Sequence, residues 1–159
     1  MVSDDDYLHF VDRALDGMAA ILDGLGDDQA NHRPDLPDAN SPYAIVTHCL
    51  GVIEFWAGHL VAGRQVHRDR PAEFTASGAV EPLIARIGAA KRQLRRDLAA
   101  AEPAAPLRHE PPGDYLVTTP ELTQGGALLH VYEELAQHLG QLEITRDVII
   151  QRNGVPQAR

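Results

Sequence analysis

One cysteine, one lysine and one tryptophan stand in 159 residues, and aromatic side chains make up only 5% of the chain. A lone Cys49 excludes an intrachain disulfide and any cysteine-rich zinc or iron–sulfur site. Basic residues are also short: 14 Lys+Arg face 23 Asp+Glu, a formal charge of −9. With no basic surplus to displace counterions from a phosphate backbone, nucleic acid is not the expected partner. Residues 1–9 (MVSDDDYLH) have neither a basic n-region nor an apolar h-region, so no Sec-type leader is expected. The longest nearly uncharged stretch, 43–61, carries His48, Glu54 and His59. It reads as a buried helix rather than a membrane span, and the expected location is the cytoplasm.

What is present is ordinary for a globular protein: 44% apolar and 23% charged residues. The length suits a single domain, 1–159, whose core needs neither disulfide nor structural metal to fold. Four stretches carry helical periodicity. Tyr7, Val11, Leu15, Met18, Leu22 and Leu25 make one face of a helix over 5–25, with Ser3 as its cap and Asp4, Asp5 and Asp6 at the positive end of its dipole. Residues 26–40 read as loop. A second helix starts at Asn40 or Ser41 with Pro42 in its first turn, follows the stripe Ile45, Cys49, Val52, Trp56 and Leu60, and ends at Gly63. Residues 64–78 show no period and read as a long connection, in which Arg68, Asp69 and Arg70 are expected to be solvated.

The third helix covers 79–101, with Leu83, Ile87, Leu94 and Leu98 inward and Arg86, Lys91, Arg92, Arg95, Arg96 and Asp97 on a solvated face. Five prolines in 103–120 make a second long loop. The last helix runs from about 123 to 151 along Leu128, Val131, Leu135, His138, Leu142, Thr145 and Ile149, and Gly154 with Pro156 closes it. Four helices of this length pack naturally as an all-α four-helix bundle. The 64–78 link is long enough to run the length of the bundle, which permits an up–down–down–up order.

Polar residues on the apolar faces carry the chemistry. His48 lies beside the stripe of the second helix, and Glu134 and His138 fall on the core line of the fourth. Buried carboxylates and imidazoles cost several kcal/mol unless paired or bound to a metal. Glu134 and His138, four residues apart, share a face at about 6 Å and could chelate one ion, with His48 as a third ligand from a facing helix. On pattern alone two other readings stand beside this one: a hydrogen-bonded core histidine and a helix-surface Glu–His pair. His130 lies eight residues before His138, a rise of about 12 Å, so those two cannot share an ion. His130 could pair with Glu134 instead, but it stands beside the core line. Cys49 reads as a buried structural thiol. His59 reads as partly buried, and His9, His32, His67 and His109 as solvated. Glu133 faces solvent or a helix edge.

The stretches SPYAIVTHCLGVIEFWAGHLVAGR and LLHVYEELAQHLGQLEITRD resemble the DinB-like superfamily of metal-binding four-helix bundles. The resemblance is to the branch holding thiol-dependent S-transferases and the metal-binding domain of mycothiol-dependent maleylpyruvate isomerases. It implies His48, Glu134 and His138 as metal ligands; Trp56, Gly63, Gly140 and Arg146 also fit the pattern without an implied catalytic role. It implies a divalent ion, zinc first and nickel or another as alternatives, and a low-molecular-weight thiol such as mycothiol as cosubstrate. The expected function is a metal-dependent thiol S-transferase or isomerase acting on a small electrophile. A metal-dependent hydrolase, with Glu133, Glu110 or Asp114 as base, and a non-catalytic metal-binding or dimerisation bundle are the alternatives. An exposed apolar stripe would suit a homodimer.

Overall fold

The computed structural model describes residues 3–111 and 122–154. Ser3 opens the first helix, α1 (Asp4–Ala30): its hydroxyl accepts from the Asp6 N–H and the Asp6 carboxylate accepts in return from Ser3, a capping box. The helix continues five residues beyond the expected end. Gly26, at φ 66°, breaks its regularity, yet the chain resumes helical turns to Ala30. Ser41 caps α2 (Pro42–Val52) by accepting from the Ala44 N–H, with Pro42 in the first turn.

Beyond Val52 the same helix widens into a π-helical segment, Ile53–Val61, that side-chain periodicity does not announce. The stripe Ile45, Cys49, Val52, Trp56 and Leu60 is nonetheless buried throughout. Pro42–Val61 is long enough and, on average, apolar enough to cross a membrane, but 78% of its most apolar window is buried in the core. The connection 64–78 is not featureless, as its sequence suggests. It contains a one-turn helix, α3 (Arg70–Glu73), capped by the Asp69 carboxylate on the Ala72 N–H. Two long helices follow, α4 (Val80–Ala99) and α5 (Gln124–Gly154). Pro156 lies outside the described residues.

Contacts fix the directions. Tyr7, at the start of α1, donates to the Leu128 carbonyl at the start of α5, so these two helices run parallel. Asn31, just past the end of α1, donates to the Gly78 carbonyl, and Asp27 accepts from Val80 N–H at the start of α4. Asp12 accordingly pairs with Arg95 near the far end of α4. Arg64, at the end of the second helix, meets Asp97 at the end of α4. The four long helices therefore form an up–down–down–up bundle, and among the described residues there is no strand, only an isolated bridge between Pro106 and Thr123.

Leu15, Met18 and Leu22 of α1 meet Ile53, Trp56 and Leu60, with Leu83, Ile87 and Leu94 of α4 and Leu135 and Leu142 of α5 closing the core. Asp97, expected on the solvated face, is 2% exposed. It receives two hydrogen bonds at 2.9 Å from Arg64, whose remaining nitrogen reaches Glu54 at 3.0 Å. The guanidinium fork satisfies a buried carboxylate that no helical pattern would place inside. His109 also departs from expectation: its ring stacks on His59 at 4.1 Å and is only partly exposed. His9, His32 and His67 are exposed, as their positions suggest.

Candidate metal centre

Two rows of side chains face each other across the seam between the second helix and α5. His48, Val52 and Trp56 stand four residues apart on one side; His130, Glu134 and His138 stand four apart on the other. Because the helices run antiparallel, His48 meets His138, ring centroids 5.0 Å apart, while Trp56 meets His130 edge-on at 4.5 Å. His48 Nε2 lies 3.3 Å from Glu134 Oε2, and His138 Nε2 lies 3.4 Å from the same oxygen. One nitrogen or oxygen from each of the three residues lies within 4.8 Å of the other two. Two imidazole nitrogens and a carboxylate oxygen form a borderline donor set suited to zinc, nickel and similar divalent ions.

His48 is buried, whereas the Glu134 and His138 side chains are each 24% exposed. The site thus sits at the edge of the core rather than within it. Hydrogen bonds from His138 and then His48 hold the Glu134 carboxyl well below the usual carboxylate range, against the upward push of burial. For His48, burial pushes the imidazole down, but the hydrogen bonds to Glu134 and Glu73 outweigh it and the net shift is upward. Beside the carboxylate opens a cavity of about 150 Å³ lined by His48, Trp56, Arg68, Arg70, His130 and Glu134.

His130 stands one turn before Glu134, packed on Trp56. Its Nε2 is 4.0 Å from Glu134 Oε1, the carboxylate oxygen turned away from His48 and His138, and its Nδ1 is 3.4 Å from Glu133. Glu133 itself is exposed and braces neither His48 nor His138. Glu110 is exposed as well, and Asp114 lies outside the described residues. Arg146 pairs with the adjacent Asp147. Cys49 is buried, and burial pushes its thiol up, which suits a packing role.

The connection 64–78 supplies what sequence reasoning missed. Arg68 is not solvated: its side chain is 4% exposed and grips Glu73 with Nε at 2.6 Å and Nη2 at 2.9 Å. Glu73 in turn accepts from His48 Nδ1 at 2.8 Å, and Phe74 stacks on the His48 ring at 4.9 Å. On the other imidazole, His138 Nδ1 donates to Gln141 Oε1 at 2.7 Å. Only Asp69 and Pro71, a cap and a first-turn proline, signal in the sequence that this connection carries structure.

A model of the mycothiol-S-transferase family matches residues 6–151. The chain belongs to that family. Its fold is the all-α DinB-like bundle expected from the two matching helices. The crystal structure of a conserved protein from Enterococcus faecalis superposes with a TM-score of 0.71 over 95% of this chain and 99% of that one. At 14% identity that likeness concerns the fold alone. No curated protein matches the chain.

Proposed function

We propose that the protein is a metal-dependent S-transferase that joins a low-molecular-weight thiol of the mycothiol type to a small electrophile. The observation carrying this reading is the convergence of His48, Glu134 and His138, one donor atom each within 4.8 Å, at the rim of a cavity. Membership of the mycothiol-S-transferase family supports the choice of thiol. A divalent cation held by these residues, zinc first, supplies the Lewis acidity at which a thiol loses its proton near neutral pH.

The chain's own groups do the rest. Trp56 and Val52 give the cavity an apolar wall that excludes water on one side, and Arg70 supplies positive charge at another. The electrophile sits in this space while the sulfur bonds to its carbon and the leaving group departs with the electron pair. Glu134 and His138, each 24% exposed, leave that edge of the site open to solvent. A substrate that must stay reduced suits the cytoplasm. Incubating metal-loaded protein with an electrophile such as a chlorinated aromatic, with and without mycothiol, tests the reading. Thiol-dependent product and loss of free thiol are expected; equal turnover without thiol would instead mean metal-assisted hydrolysis.

A further inference from the structure

The connection 64–78 buries an ion pair directly behind His48, which the proposed transfer reaction does not by itself require. Burying a carboxylate and a guanidinium together is seldom worth its desolvation as a matter of stability. Yet Glu73 is 7% exposed and the Arg68 side chain 4% exposed. The second helix is shaped to receive them. A Cβ added to Gly51 would lie 2.0 Å from Glu73 Oε1 and 3.2 Å from Arg68 Nε, so any larger residue there would expel the carboxylate. The one-turn helix α3, capped by Asp69, ends on Glu73 and delivers it into that space.

The pair meets the site at His48 Nδ1, where Arg68 Nη2 also lies 3.4 Å away. Glu73 Oε2 receives the His48 Nδ1–H at 2.8 Å, while Arg68 occupies both carboxylate oxygens from behind. Held this way, His48 turns Nε2 toward Glu134 and His138 and would keep its proton on Nδ1 when a metal replaces the one on Nε2. Phe74, the residue after Glu73, stacks on the ring at an interplanar angle of 28° and restricts its rotation. An imidazole whose far nitrogen donates to a carboxylate has a fixed tautomer and a more basic near nitrogen, the arrangement that orients metal-binding histidines.

We propose that Glu73, anchored by Arg68, is the positioning residue that fixes the tautomer and orientation of His48 for metal binding. The inference rests on the reading of His48, Glu134 and His138 as metal donors. Arg68 matters because it keeps Glu73 an acceptor aimed at one nitrogen; without it the carboxylate would swing toward solvent.

The test combines metal affinity with the nitrogen resonances of His48. In the zinc-loaded wild type, long-range 1H–15N spectra should show His48 protonated on Nδ1 and metal-bound through Nε2. Glu73→Gln should weaken zinc binding ten- to hundredfold in a chelator competition and yield a mixture of His48 tautomers. Arg68→Lys, which keeps a charge in the pocket, should give a smaller loss in the same direction. A Glu73→Gln protein with wild-type affinity and an unchanged tautomer overturns the proposal, as does wild-type His48 bound to zinc through Nδ1. The latter measurement needs no variant to fold. His48→Ala separates the two levels: if it still retains stoichiometric zinc, the donor assignment itself has failed, whatever Glu73 does.

Discussion

The two imidazoles of the proposed site stand in different surroundings. His48 is buried on the second helix, its Nδ1 bonded to a carboxylate that an arginine grips and its face covered by Phe74. His138 is partly exposed on α5, its Nδ1 bonded to the amide oxygen of Gln141 three residues on, itself at the surface. One imidazole is held by tertiary structure, the other by its own helix. The difference teaches that half of the site is built by long-range folding and half by local spacing, so equal substitutions on the two sides should have unequal consequences.

Removing a whole ring breaks the comparison most severely. His48→Ala and His138→Ala should each abolish stoichiometric metal retention after desalting, measured by elemental analysis. Their stabilities should diverge. In metal-free protein, His48→Ala removes a buried ring and takes one donor each from Glu73 and Glu134, at a cost of about 1–3 kcal/mol, whereas His138→Ala on the open side stays within about 0.5 kcal/mol. Urea denaturation of both variants checks this, and equal losses would erase the distinction. Exchanging the braces sharpens it further. Against the ten- to hundredfold weakening expected for Glu73→Gln, Gln141→Ala should cost less than about tenfold in zinc affinity, because water can replace an exposed amide oxygen.

The smallest effect is one of pH on the metal-free protein. Glu134 and Glu73 both lie below their ordinary 4.5 when folded, so their contribution is complete above that value and fades as pH falls through the lowered folded values. For Glu73, burial opposes this shift but the hydrogen bonds from His48 and Arg68 prevail. His48 behaves oppositely: raised above 6.5, it contributes fully below 6.5 and loses that contribution as pH rises through its folded value. The Tm of metal-free protein should therefore be highest between pH 4.5 and 6.5 and decline above it. In His48→Ala the decline on the alkaline side should flatten; a wild-type Tm that climbs from pH 5 to 8 would contradict this balance.

The same division governs what the sequence discloses. Helix faces were legible because burial follows a 3.6-residue period: Leu83, Ile87, Leu94 and Leu98 all point inward as their spacing requires. The convergence of His48, Glu134 and His138 was legible too, since polar groups on apolar faces demand partners, and α5 places two of them one turn apart. Arg68, Glu73 and Asp97 were not legible. Their burial comes from contacts between segments far apart in the chain, and a charged residue in a loop carries no periodic mark of the cavity it fills. Gly51 and Gly58 were the overlooked trace. A Cβ on either would collide with Glu73 or Arg64 respectively, so each glycine records an approach by the connection that its own helix does not reveal. The π-helical turns of Ile53–Val61 were hidden for a related reason: one widened turn shifts the stripe too little to change which residues are apolar.

The proposed function stands or falls with one cation shared by two imidazoles and one carboxylate at the seam of the second helix and α5. X-ray absorption at the metal edge of protein purified without chelator tests it most directly. One divalent ion per chain, with the outer-shell scattering of two imidazole rings that falls to one in His138→Ala protein reloaded with excess metal, is the predicted result. A chain that takes up no ion from a metal-replete buffer, or holds one with no imidazole in its shell, would contradict it.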